Sequence, residues 1–474
     1  MEDGKSVIAR VVRTRFAPSP TGELHIGGVR TALFCYLWAK KNGGKFVLRI
    51  EDTDTKRNEE EFVKSLYEDL IWLGIKPDES IFRPGEYGSY RQIQRLDIYQ
   101  KYIDKLIKEK KAYYCFCSPK ELAQEKEEYI KENKRSNYQY SRKCLNLSEK
   151  EISSLLFQKS TYVIRLKVPQ EKNYFFQDLV RGEVNFQGKD IEDFVLFRQN
   201  GVPNYNFACV VDDYLMKISH VLRGEEHLSN TGKQLVLYEA LGWESPQFGH
   251  FSLILNKEKK KLSKRDKENS QFQLIRQLRE LGYLPQAIFN YLLFLGWHPG
   301  TTHEIFSAQE AIKNFDLTGL NARGAVYSLE KLNWYNNYYI QQLELNEFSE
   351  YSWKVLQKEY NLELEKKEWV KQVTLLFRSQ LNYFQELIDL SEYFFRLPNL
   401  ETGLICNGEL KNVSRFLVQI KEWKEENIQK ILSSIEKKIF PLIRKKITGK
   451  KTGPKLIKIV NLLGKEEVVK RLRL

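Results

Sequence analysis

Pro18-Ser19-Pro20-Thr21-Gly22-Glu23-Leu24-His25-Ile26-Gly27-Gly28 is the stretch on which the fold turns. Before it, Val7 to Phe16 reads as a β-strand. Two prolines punctuate a loop, and a helix is expected from about Gly27 to Lys41, where Gly43 and Gly44 stop it. A second apolar run, Phe46 to Ile50, ends in the polar cluster Glu51-Asp52-Thr53-Asp54. Strand, loop, helix, strand is a unit that builds parallel sheets. A histidine and paired glycines where loop becomes helix suit a phosphate. Backbone N–H groups and the positive helix end face the anion, the glycines allow close approach, and His25 adds a donor. Taken alone, the same residues also describe an ordinary helix entry.

Far downstream, Lys261-Leu262-Ser263-Lys264-Arg265 forms a basic loop able to clamp a triphosphate during attack at its α-phosphorus. The chain has no Walker-type Gly-Lys-Ser/Thr loop and no dinucleotide fingerprint, so an unusual nucleotide site is indicated. Between these segments, apolar residues recur at helical spacing from Arg91 to Lys111. Residues 112–200 mix a cysteine cluster, a lysine- and glutamate-rich stretch and short β-type runs such as Tyr162 to Val168, and read as an inserted domain. Strands are expected again at Phe207 to Val211 and Ile218 to Leu222, then a helix from near Thr231 to Gly242. Beyond about residue 325 helical patterns dominate, and no internal repeat is found.

A chain of 474 residues exceeds the size at which single cores stop growing, so three or more domains are expected. Hydrophobic content of 42% excludes collagen-like and low-complexity classes. A net charge of +14 favours a polyanionic partner such as nucleic acid, although mixed-sign runs such as Lys257 to Lys267 serve equally to solvate a face. No apolar leader occurs in Met1 to Arg10 and no long uncharged apolar stretch elsewhere, so a cytoplasmic protein without membrane contact is expected. Six cysteines are too sparse for a disulfide framework. Cys115-Phe116-Cys117 offers two thiolates on a tight knuckle, and Cys144 supplies a third ligand for a tetrahedral ion that still needs a fourth.

The first motif resembles the HIGH signature of class I aminoacyl-tRNA synthetases, and Lys261 to Arg265 resembles their KMSKS loop. Arg15 to Gly22, Arg49 to Asp54, Tyr90-Arg91-Gln92, Val210 to Asp213 and Leu222 to His227 resemble, in order, blocks of the bacterial-type glutamyl-tRNA synthetase family. Pro-Ser-Pro-Thr-Gly, with Gly28 closing the HIGH-like motif, favours the glutamyl over the glutaminyl branch. The resemblance implies an α/β class I synthetase, with a Rossmann-like parallel-sheet catalytic domain, an inserted acceptor-binding domain and all-α anticodon-binding domains. The implied boundaries are 1–111 and 201–254 for the two catalytic halves, 112–200 for the insertion and 255–325 for a stem-contact domain with the KMSKS-like loop. Helical domains at 326–380 and 381–474 complete the chain.

The implied reaction is ligation of L-glutamate to tRNA-Glu through glutamyl-adenylate, with ATP and Mg²⁺ and with tRNA needed for efficient activation. His25, Lys261 and Lys264 take catalytic positions. Arg15, Ala17, Ser19, Glu51, Tyr205 and Arg223 surround glutamate, an arginine meeting its side-chain carboxylate and Glu51 its ammonium. His25, Gly27, Gly28, Glu226, Leu228, Ile254, Lys261 and Lys264 surround ATP. Some relatives complete a structural zinc site with Cys-x-His, but residue 146 is Asn here, so the resemblance implies Tyr140, or a water in its place, as the fourth ligand beside Cys115, Cys117 and Cys144. Gln380 aligns with an arginine that disfavours the glutamine anticodon in strictly glutamate-specific relatives, which implies additional charging of tRNA-Gln; a two-residue slip would place Arg378 there instead. A monomer is the family expectation. Two alternatives remain: a glutamyl-queuosine synthetase, which lacks the anticodon-binding region, and a non-catalytic RNA-binding derivative.

Overall fold

The computed structural model describes residues 11–53, 60–133, 138–262, 272–398 and 408–473. The chain divides into two compact units, Met1–Arg276 with Phe289–Ser328, and Gln277–Ile288 with Leu329–Leu474.

The first unit opens with β1 (Arg13–Phe16), α1 (Ile26–Lys41) and β2 (Lys45–Leu48), the order the sequence predicts. Residues 7–10 of the expected first strand lie outside the described residues. β1 and β2 pair in parallel, Arg13 opposite Lys45 and Phe16 opposite Leu48. His25 is the N-cap of α1, its ring Nδ1 accepting the Gly27 N–H at 3.1 Å. At the other end Gly43 takes φ +63°, which ends the helix. Gly44 is required for a different reason: a Cβ there would stand 1.9 Å from the Val12 carbonyl oxygen. That carbonyl accepts the Lys45 N–H at 2.9 Å and starts the β1–β2 pairing.

Next come α2 (Glu60–Trp72), a 3₁₀ turn at Gln92–Arg95 and α3 (Leu96–Lys108), so the expected helix from Arg91 begins as a tighter turn. β3 (Ala112–Cys115), α4 (Pro119–Asn133), α5 (Glu149–Phe157), β4 (Val163–Leu166), β5 (Asn173–Asp178), β6 (Gly182–Gln187) and β7 (Val195–Phe197) follow. β3, β4 and β7 form an antiparallel sheet, and β5 and β6 a hairpin.

The expected strand at Phe207 to Val211 is instead part of helix α6 (Tyr205–Leu215). Its residues from Asn206 to Asp213 are all buried, and an apolar run buried on every side carries no period to separate helix from strand. The helical spacing sets Cys209 and Asp213 one turn apart, their side chains 3.5 Å from each other. After α6 come β8 (His220–Gly224), α7 (Leu228–Leu241) and β9 (Gln247–Phe251). They complete a parallel sheet in the order β2-β1-β8-β9. Successive connections leave β1 on one side and β8 on the other, so a topological switch lies between them.

β10 (Ile254–Leu255), α8 (Ile275–Leu281), α9 (Pro285–Leu293), α10 (Ala308–Asn314) and β11 (Ala325–Val326) come next, β10 pairing with β11. The remainder is helical, from α11 (Leu329–Gln342), α12 (Leu345–Tyr360), α13 (Lys367–Leu375) and α14 (Glu386–Phe395) to a last helix at Lys465–Arg473. Among the described residues no helix is long and apolar enough to cross a membrane.

Replacing Gly44 with alanine forces the Val12 carbonyl aside and costs about 1–3 kcal/mol. A lowered urea midpoint reads this out; an unchanged midpoint would mean that β1 and β2 are not joined in this way.

Candidate active site

A cavity of about 500 Å³ opens at the switch point. Its wall comes from the end of β1 and the loop beyond it (Arg15 to Ser19), the start of α1 (Gly27, Gly28), Glu51 after β2, Tyr205 at the head of α6, and Arg223, Gly224 and Glu226 at and just after the end of β8. Crevices outside the carboxyl ends of parallel strands are where such sheets bind ligands.

The floor is a buried ion network. Asp213 accepts from Arg15 Nε, 3.2 Å from both oxygens, and from Arg49 Nη1 at 2.6 Å. Arg49, fully buried, reaches on to Glu51 at 2.9 Å. Burial alone would lift the Asp213 carboxyl, but Arg15 and Arg49 outweigh it and hold Asp213 below its ordinary range. Glu51 goes the other way: burial lifts it above the ordinary range despite Arg49. Asp212 stands 3.7 Å from Arg49 Nε and also accepts from Arg95 at 2.7 Å, Tyr99 at 2.8 Å and Gln92 at 2.9 Å. The two adjacent aspartates therefore meet at Arg49, Asp213 linking it to Arg15 and Asp212 to Arg95.

Arg223 stands on β8 opposite His250 on β9 in the sheet register. Tyr205 Oη lies 3.5 Å from its guanidinium. Burial, then the nearby charge of Arg223, pushes the His227 imidazole down to about 4, so a neutral ring lines the cavity near neutral pH.

Of the residues expected around glutamate, Arg15, Ala17, Ser19, Glu51, Tyr205 and Arg223 all line the cavity. Of those expected around ATP, Gly27, Gly28 and Glu226 line it, whereas His25, Leu228 and Ile254 are not among its lining residues. His25 is turned to structural partners: Nδ1 accepts from Gly27, so Nε2 carries the proton and donates to Gln273 Oε1 at 2.9 Å. Lys261 is exposed and bridged to Leu255 at the start of the basic loop. Lys264 lies outside the described residues. Sequence reasoning missed the roles of Arg49 and Asp213 in the floor, and of Thr31, Gln92, Arg198, His227 and Asn230 in the wall. The alternation Arg49, Glu51 at a strand end was the available signal for the first.

Away from the cavity, the Sγ atoms of Cys115, Cys117 and Cys144 lie within 4.8 Å of one another. The Tyr140 hydroxyl is 3.4 Å from both Cys115 and Cys117, and Cys117 is 3.4 Å from Cys144. Three thiols converging at such distances could supply three ligands of a tetrahedral metal ion, with the Tyr140 phenol beside them. Burial raises the Cys117 thiol to about 12, and a bound cation would reverse that by stabilising the thiolate.

In the helical unit, Gln380 ends a 3₁₀ turn, Arg378–Gln380, and is exposed. Arg378 is committed elsewhere. Its guanidinium donates to the carbonyls of Ile340 at 3.1 Å, Gln341 at 2.9 Å and Leu343, closing the C-terminal end of α11, and stands 5.0 Å from the Phe348 ring centroid.

Residues 11–334 match the family model for tRNA synthetases class I (E and Q), catalytic domain, and residues 344–474 match an anticodon binding domain. The chain is similar to the glutamate–tRNA ligase of Geobacillus thermodenitrificans, at 46% identity over 98% of both chains. It is also similar to that of Bacillus subtilis, at 42% identity over 98% of this chain and 99% of the relative. Among solved structures, it is similar to a glutamate tRNA ligase from Elizabethkingia meningosepticum in complex with its amino acid, at TM-score 0.87 and 35% identity, over 98% of both chains. Matched over residues 11–334 and 344–474 by catalytic and anticodon-binding models and over 98% of its length by relatives, the chain belongs to the bacterial glutamate–tRNA ligase family of class I aminoacyl-tRNA synthetases.

Proposed function

We propose that this chain joins L-glutamate to the 3′ end of tRNA-Glu, using ATP with Mg²⁺ and passing through glutamyl-adenylate. The observation that carries the reading is the cavity itself, which sets Arg15, Arg223 and Glu51 around one space at a class I switch point. Cationic and anionic groups so arranged complement an amino acid with a carboxylate side chain. Arg223 meets that carboxylate, and Glu51 takes the ammonium. Gly27 and Gly28 open the head of α1 to the phosphates of ATP, with Glu226 beside them.

The glutamate α-carboxylate oxygen attacks the α-phosphorus of ATP, the bond to the bridging oxygen breaks, and pyrophosphate leaves. The tRNA ribose hydroxyl then attacks the activated carbonyl and AMP leaves. Nothing in this sequence requires a protein nucleophile; positioning and charge stabilisation suffice. Lys261 and Lys264 supply the cations for the leaving phosphates, and His25 holds the helix entry in shape. Mg²⁺, when bound with ATP, neutralises phosphate charge. Residues 112–200 take the acceptor end, 255–325 the stem, and 326–380 with 381–474 the anticodon.

Gln380 favours a second substrate. It is the exposed side chain at the position in question, while Arg378 is spent on helix carbonyls. The enzyme therefore charges tRNA-Gln with glutamate as well. Tyr140 with Cys115, Cys117 and Cys144 holds a structural zinc ion.

Purified full-length protein given ATP, Mg²⁺ and labelled glutamate should charge both tRNA-Glu and tRNA-Gln, with little ATP–pyrophosphate exchange until tRNA is added. Charging of tRNA-Glu alone removes the Gln380 reading, and charging of neither removes the ligase. Arg223→Ala should lower kcat/KM for glutamate at least about 30-fold, the cost of truncating one partner of a buried charge pair. Metal analysis should find about one zinc per chain in the wild type and none in Cys117→Ala; equal zinc contents would discard the site.

A further inference from the structure

Arg223 is held in a way that Arg15 and Arg49 are not. Those two share the Asp213 carboxylate. The Arg223 guanidinium, 4% exposed, finds only neutral acceptors among the described residues. Nε donates to His250 Nε2 at 3.1 Å, and Nη2 donates to Thr231 Oγ1 at 2.7 Å, Gln234 Oε1 at 2.9 Å and the His227 carbonyl at 3.4 Å. Nη1 has one long contact, Tyr205 Oη at 3.5 Å, and Arg223 lines the cavity.

The His250 tautomer follows from these bonds. An arginine Nε can only donate, so the imidazole Nε2 it meets is bare, with the Thr231 hydroxyl as its second neighbour at 3.0 Å, and the ring proton sits on Nδ1. Asp178 Oδ2 lies 2.6 Å from Nδ1 and receives that proton's bond. Asp178 is fixed in turn at the end of β5: Oδ1 accepts backbone N–H groups of Val180 at 2.9 Å, Arg181 at 3.0 Å and His250 at 3.2 Å. Burial, with the charges of Arg223 and Arg181, keeps His250 below its ordinary range against the pull of Asp178. The ring thus stays neutral, and Arg223 meets no competing charge.

We propose that Asp178 and His250 are positioning residues for substrate choice: they lock an acceptor against Arg223, so that its uncompensated guanidinium is aimed at a carboxylate and discriminates glutamate from its amide. The inference rests on the reading that Arg223 meets the glutamate side chain. It adds a chain of command from the β5–β6 hairpin through β9 to β8.

Asp178→Asn is the decisive variant. Three N–H groups require an oxygen at the Oδ1 place, so the new amide nitrogen must take the place of Oδ2 and point its hydrogens at His250 Nδ1. His250 then accepts at Nδ1 and carries its proton on Nε2, where Thr231 Oγ1 at 3.0 Å can accept it but Arg223 Nε meets a donor in place of its acceptor. With only six histidines in the chain, ¹⁵N–¹H correlation spectra of histidine-labelled full-length protein resolve the ring states. The wild type should show His250 protonated on Nδ1, and Asp178→Asn should show it on Nε2. In tRNA charging, Asp178→Asn should raise KM for glutamate roughly tenfold, the scale of an unsatisfied buried donor. The ratio of kcat/KM for glutamate over glutamine should fall by about the same factor, with KM for ATP within about twofold. His250→Gln, whose amide can donate to Asp178 and accept from Arg223, should recover to within about threefold, and His250→Phe should not.

An unshifted tautomer, an unchanged glutamate KM, or an ATP KM that climbs in step with it would each overturn the proposal. Arg223→Ala separates the levels. If it raises the glutamate KM and Asp178→Asn does not, the positioning pair falls and the reading of Arg223 stands; if Arg223→Ala has no effect, both fall.

Discussion

Asp213, clamped between Arg15 and Arg49, is the interaction from which the catalytic unit hangs. Its charged partners come from β1 and from the end of β2, so one carboxylate on α6 ties these two strands to the helix. Removing one member of such a buried set leaves an unpaired charge in a low-dielectric floor, at a cost of about 3–5 kcal/mol. The same set leaves Glu51 and Arg15 at the cavity surface with fixed orientations, so the fold and the ligand site share their electrostatics. Stability and recognition cannot be varied independently here.

The placement of positive charge within the cavity follows a consistent logic. Arg15 and Arg49 arrive with their counter-charge and are locally balanced. Arg223 arrives with neutral dipoles alone. Neutral acceptors orient a guanidinium as firmly as a carboxylate does while leaving its field intact for a ligand. Desolvating a charge without a partner is costly, and the protein sets several neutral hydrogen bonds against that cost until the ligand arrives.

Much of this was legible in the sequence where the signal was local. The β1–α1–β2 unit follows from prolines, glycines and apolar runs, and the cysteine cluster from the rarity of the residue in the chain. α6 was misread because Phe207 to Val211 is rich in strand-forming residues and buried on all sides, so propensity and period both misled. That error hid Asp213, whose role depends on the helical turn that brings it beneath Arg15. Asp178 and His250 left no trace at all. They are 72 residues apart, on β5 and β9, and only the packed hairpin joins them. His25 caps α1, and its ring nitrogens meet Gly27 and Gln273.

The order of strands in the sheet also has a temporal side. β1 ends at Phe16, and its neighbour β8 begins only at His220. On a ribosome advancing at about 5–20 residues per second, roughly 10–40 s separate the emergence of the two strands. For that interval β1 has β2 on one side and an open parallel edge on the other, carrying two arginines, one of which, Arg15, must wait for Asp213. Charged side chains on an unpaired edge discourage premature pairing with another chain. Arg15, which later shapes the floor of the cavity, and Arg13, which later pairs with Glu79, thus also guard the nascent sheet while the intervening segment is still being made.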